Sequence, residues 1–150
     1  MYEIEHRDIV FEIKISLREL TNIDETININ IKKILGKNYK NNYGYLKNIN
    51  FIQDIETTNI VKNDFSGDII CKVFLNASFI NPKIGEIIDC IVKENNNINI
   101  AVYDILKIVI IDKNLNLNIG DKVKIKILAK QMKYNKNYIN IVGCINNKIN

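Results

Sequence analysis

The chain has 150 residues, of which 47% are apolar and 25% charged, and its formal net charge is +4. That balance excludes a chain held unfolded by low hydropathy and self-repulsion, and the length admits one ordinary domain or two very small ones. No aliphatic run exceeds the four residues Ile108–Ile111, and the charged start Met1–Asp8 has no apolar stretch, so neither a membrane-spanning helix nor a secretory leader is expected.

A first strand is expected over Ile9–Leu17, with Ile9, Phe11, Ile13, Ile15 and Leu17 on one face and Glu12, Lys14 and Ser16 on the other. Leu20-Thr21-Asn22 breaks the alternation and offers an N-cap at Thr21 or Asn22. Ile23, Ile27, Ile31, Ile34 and Leu35 then keep a helical spacing, with Asp24 and Glu25 early, Lys32 and Lys33 late, and Gly36 as the stop. Thr26–Ile31 also alternates as a strand would. Lys37–Asn42 reads as a polar turn, Tyr43 to Ile55 as a strand, Glu56–Gly67 as a loop, and Asp68–Phe79 as a long strand. The sole proline, Pro82, followed by Gly85, marks a junction that divides the chain into 1–79 and 80–150. Beyond it come strands over Glu86–Lys93, Ile98–Tyr103, Ile105–Ile111, Lys122–Ala129 and Tyr138–Ile145, with Asn- and Gly-bearing turns between. The expected class is α+β, mostly β: a small antiparallel sheet with one helix, then an OB-type five-stranded barrel.

The composition holds 33 Ile and 25 Asn against 3 Ala, a preference for A/T-rich codons that reflects the genome and not the function. Cys71, Cys90 and Cys144 are odd in number, far apart and flanked by apolar residues, which points to buried free thiols in a reducing, intracellular compartment. The single histidine, His6, lies in a charged surface segment. No phosphate-binding glycine loop, metal-ligand pattern or nucleophile motif occurs, so no active site, metal or cofactor is expected.

Charge is uneven along the chain. Residues 1–75 carry 10 basic and 11 acidic side chains, residues 76–150 carry 11 and 6, and residues 113–150 carry eight lysines against Asp121 alone. In Gly120–Leu128 the alternation sends Val123, Ile125 and Ile127 inward and sets Lys122, Lys124 and Lys126 in an outward row, with Lys130, Lys133 and Lys136 following. Such a row suits a phosphate backbone, and it equally suits a solvated strand face.

Tyr43-Gly44-Tyr45-Leu46 and, further on, Phe74–Asp89, which contains Phe79-x-x-Pro82-x-x-Gly85-Glu86, together resemble the stalk subunit of multisubunit RNA polymerases. That family comprises the seventh subunit of eukaryotic RNA polymerase II, its archaeal equivalent and counterparts in large DNA viruses. The resemblance runs through nearly the whole chain in order and spacing. It implies a non-catalytic subunit with an N-terminal tip domain docked near the polymerase clamp and a barrel facing nascent RNA. A smaller partner subunit would bind across both domains, as is usual in the family.

Carried over residue by residue, it implies core docking by Leu17, Leu20, Thr21, Asn22, Tyr43, Gly44, Thr57, Thr58, Asn59, Phe65 and Gly67, and a domain junction at Phe79, Pro82, Gly85 and Glu86. RNA contact falls to Lys122, Lys124, Lys126, Lys130 and Lys133 with Tyr103. The chain departs from the family pattern at Asn97-Ile98, where a Gly-Phe pair is usual, and at Tyr103-Asp104, where a Gly-Pro is usual. Tyr103, Tyr134 and Tyr138 could replace the missing stacking aromatic, or could be half-buried barrel residues. The expected location is nuclear, or a cytoplasmic viral factory or virion if the source is viral. The alternative is a free-standing OB-fold RNA-binding factor of translation or RNA processing.

Overall fold

Strand and helix boundaries follow where the apolar period changes. The computed structural model describes residues 4–40, 43–58, 69–113 and 115–149. It is mostly β, with one α-helix, a four-stranded antiparallel sheet and a closed five-stranded barrel. Two compact units result: one comprises Glu5–Gly36 and Leu46–Phe79, and the other is built on Ile80–Asn150 and takes in Lys37–Tyr45.

In the helix-and-sheet unit, β1 (Ile4–Ile15) buries Ile9, Ile13 and Ile15 and exposes Glu12 and Lys14, the period-two pattern of a half-buried strand. The strand is longer at its start than the sequence suggested and stops at Ile15. Ser16 ends it because the Glu19 carboxylate accepts from both the Ser16 N–H (3.1 Å) and its hydroxyl (2.9 Å), which opens a 3-10 helix over Leu17–Asn22. Leu17, expected in the strand, is therefore in this helix. The helix α1 (Ile23–Ile34) follows, with Thr26, Ile27 and Ile31 buried and its acidic and basic ends matched to the helix dipole. That settles the Thr26–Ile31 ambiguity in favour of the helix. The strand β2 is the two-residue segment Asn38–Tyr39; β3 spans Gly44–Thr58 and β4 spans Ile69–Ile80, and the sheet order is β1-β4-β3-β2. Cys71, Val73, Leu75, Ala77 and Phe79 of β4 are all fully buried.

The barrel unit has β5 (Ile87–Glu94), β6 (Asn99–Tyr103), β7 (Leu106–Ile110), β8 (Lys122–Gln131) and β9 (Ile139–Ile149). They close in the order β5-β6-β7-β9-β8, with β7 and β9 parallel and the other pairs antiparallel, an OB-like barrel. Alternate residues fill it: Ile88 and Val92, Ala101, Ile108, Val123, Ile125 and Ile127, and Ile139, each at 0% exposure. Gly143 sits where β9 crosses β8, and a Cβ there would meet Ile125 Cγ2 and lie 2.9 Å from the Lys126 carbonyl.

The segment expected to be a polar turn, Lys37–Asn42, is corrected in its described part. Asn38 and Tyr39 are buried, at 2% and 4% exposure, and pair with Tyr45 and Gly44. The cause is a set of hydrogen bonds that local sequence does not reveal. The Asn38 N–H donates to Lys136 O (2.8 Å), its carbonyl accepts from Asn135 N–H (3.1 Å), and its side-chain amide donates to Lys133 O (3.0 Å) and Tyr138 O (2.8 Å). Asn38 thus holds the β8–β9 loop shut.

Candidate nucleic-acid interface

The lysine row is set by strand period and register. Val123, Ile125 and Ile127 are buried, so Lys122, Lys124 and Lys126 point outward from β8. Opposite them on β5 stand Ile91, Asp89 and Ile87 respectively. Directly opposed residues share a face, so the middle lysine stands across from a carboxylate and the row is less positive than its sequence implies. Lys133 lies in the β8–β9 loop and is exposed. Lys130 is engaged elsewhere, since its ammonium donates to Asn81 Oδ1 and to Pro82 O, both at 2.8 Å. We therefore remove it from the candidate RNA contacts.

Tyr103, at the end of β6, is half-buried and packs against the barrel core. One of its surroundings is an open groove of about 660 Å³ with Ile91 and Val102 among its apolar lining residues. The same groove is bordered by Lys93 and Lys122, and by Asp89 and Asp104. The aromatic and one of the row lysines singled out from sequence are thus brought together, while Lys124 and Lys126 stand outside. Cys90 also borders the groove, but burial, then the Asp89 charge, pushes its thiol up to about 12, which leaves no thiolate for chemistry.

In OB-type barrels, oligonucleotides lie across the second and third strands, here β6 and β7. Register places Ile100 beside Val109 and Val109 beside Val142, giving an outward row of aliphatic side chains. Ile98 (54% exposed) and Ile111 (50%) extend it. A base stacks on a flat ring, and this face supplies none, so the Tyr103 groove is the better seat.

The residues assigned to core docking separate. Thr21 and Asn22 are exposed at the end of the 3-10 helix, which also contains Leu17 and Leu20, and Thr57 is exposed on β3. Thr58 ends β3, whereas Asn59, Phe65 and Gly67 lie outside the described residues. Tyr43 and Gly44 belong with the barrel unit. The Tyr43 ring stacks on Tyr39 (5.9 Å, 14°), and the Tyr39 phenol is raised above its usual range by burial and then by the phenols of Tyr134 and Tyr43. Gly44 is buried at φ +106°, with a Cβ position that would meet the Ile80 carbonyl.

The junction residues are tied down. Phe79 and Pro82 are buried, Gly85 N–H donates to Ile127 O (2.8 Å), and Ile127 N–H donates to Glu86 O (2.9 Å). His6 is exposed and lies within β1, with Nδ1 3.0 Å from Ser78 Oγ and 3.3 Å from Asn50 Nδ2. Among the described residues, no group of three or more His, Cys, Asp or Glu side chains could hold a metal ion. Nor is any described helix long and apolar enough to cross a membrane.

Sequence reasoning missed Asn38, for which no local signal exists, and the pairing of Lys130 with the junction. It also missed Asp89, Ile91 and Lys93 as groove residues, although the period-two pattern of β5 already sets them on one face. No protein-family model matches the chain, and no curated protein matches it in sequence.

Proposed function

We propose that this chain is a non-catalytic stalk subunit of a DNA-directed RNA polymerase: its helix-and-sheet unit docks to the large subunits and its barrel contacts nascent RNA. The observation that carries this reading is where the Phe79-x-x-Pro82-x-x-Gly85-Glu86 run falls. It begins at the last residue of one compact unit and enters an OB-like barrel, bound to β8 through Gly85, Glu86 and Lys130. The basic C-terminal portion and the Tyr103 groove supply the RNA-facing part of the reading.

The experiment is affinity purification of the tagged full chain from the cell that naturally expresses it, with mass spectrometry of what co-purifies. Recovery of the two largest polymerase subunits is expected, and replacing Glu56–Gly67 by a Gly-Ser linker should abolish it. Recovery of RNA or ribosomal material without those subunits would overturn the reading in favour of a free-standing OB-fold factor. The Tyr103 groove favours that second reading to one extent: all its lining residues belong to the barrel unit.

A further inference from the structure

The Tyr103 groove has a composition more specific than a phosphate track. Two lysines and two aspartates border it, so their formal charges cancel and backbone attraction alone would be weak there. What the four groups offer is a division of hydrogen-bonding roles. Ammonium groups only donate, and carboxylates only accept. A flat base on Tyr103, Ile91 and Val102 must therefore present donors to Asp89 or Asp104 and acceptors to Lys93 or Lys122.

The four RNA bases differ in this respect. Guanine carries N1–H and the N2 amino group side by side, which a carboxylate can accept together, and on another edge O6 and N7, a known match for lysine. Uracil offers one ring donor between two carbonyls. Adenine and cytosine each offer a single amino group, and the ring nitrogen beside it is an acceptor that would repel the carboxylate's second oxygen. Guanine is the base that answers both signs.

We propose that this groove seats one guanine of a single-stranded RNA, with Asp89 or Asp104 reading its N1–H and amino edge and Lys93 or Lys122 facing its acceptor edge. This rests on the reading of the barrel as RNA-contacting and is independent of docking to the polymerase.

The test is fluorescence anisotropy of the full chain with labelled uridine octamers, one all-uridine and one with a single central guanosine. The guanosine octamer should bind about tenfold more tightly, within the range a two-point base contact provides. A D89N/D104N double variant should lose that preference, and K122E should weaken both octamers. GMP should compete only at concentrations at least about a hundredfold above the octamer Kd, because it lacks the flanking nucleotides whose stacking and phosphates add affinity. Thermal melting of each variant separates loss of fold from loss of the contact.

Equal binding of the two octamers, or a preference that survives in D89N/D104N, overturns the proposal. So does GMP competing as strongly as the octamer, which would mark a free-nucleotide site. Absence of any octamer binding overturns it together with the RNA-contact half of the proposed function, while the polymerase pull-down judges the docking half separately.

Discussion

Replacing Asn38 probes a buried side chain that ties the barrel's β8–β9 loop. Its amide donates two hydrogen bonds, at 2.8 and 3.0 Å, to the β8–β9 loop from a position 2% exposed. At about 0.5–1.5 kcal/mol net for each bond, with the loop carbonyls left partly desolvated, Asn38→Ala should cost about 2–3 kcal/mol. Asn38 Oδ1 is buried without a partner among the described residues, and its removal returns part of that cost, which favours the lower figure. Asn38→Asp has nearly the same shape but sets a carboxylate oxygen against two carbonyl oxygens, and should cost roughly 3–5 kcal/mol at pH 7.5.

The pH dependence of the aspartate variant has a definite sign. Burial beside two carbonyls raises its folded pKa above the unfolded value of about 3.9, and the neutral form can donate one hydrogen bond. Stability is then fullest below that value and is lost as pH rises through the folded pKa, so the gap between N38D and N38A should narrow from pH 7.5 to pH 5. Urea unfolding followed by circular dichroism and by tyrosine fluorescence measures both effects; the chain has seven tyrosines and no tryptophan. N38D as stable as the wild type at pH 7.5, or a gap that widens at pH 5, would refute the assignment of Asn38 as the clasp of that loop.

Gly44→Ala should cost about 3 kcal/mol or more in the same unfolding assay, since its backbone is left-handed and the new methyl meets the Ile80 carbonyl. Lys130→Ala should cost about 1–2 kcal/mol, less than a fully buried pair because Lys130 is half-buried, and should leave the affinity for all-uridine RNA unchanged within twofold. Thiol labelling of the native chain at pH 8 should modify Cys144 first and spare Cys71 and Cys90 until unfolding, because burial raises both of those thiols. Reversing Lys122, Lys124 and Lys126 to glutamate should flatten the salt dependence of single-stranded RNA binding by about two units of slope, less where Asp89 stands opposite Lys124.

The helix and the barrel strands were legible because each keeps one period over enough residues to bury a face. Ile23, Ile27 and Ile31 report a helix, and Val123, Ile125 and Ile127 report a strand, without any knowledge of what they touch. The 3-10 helix was not legible, because the Ser16–Glu19 bond that starts it competes with a strand pattern still running through Leu17. Strand β2 was hidden for the opposite reason: two residues have no period, and the side-chain acceptors that bury Asn38 lie at Lys133 and Tyr138. At the candidate site, sequence supplied the outward direction of the lysines but not their neighbours. Register alone put Asp89 opposite Lys124, and tertiary packing alone gave Lys130 to the junction.

The membership of Lys37–Tyr45 in the barrel unit bears on how the protein is made. The chain passes between units at Gly36, at Tyr45 and again at Phe79, so neither unit is one continuous stretch. Asn38 must wait for acceptors 95 and 100 residues further along the chain. At about 5–20 residues per second of synthesis, that is a delay of roughly 5–20 s during which the Asn38 amide lacks those acceptors. A ribosome-bound chain stopped just short of Lys133 should therefore be far more open to proteases at Lys37–Lys40 than one released whole, and the barrel would be among the last parts of the molecule to become resistant.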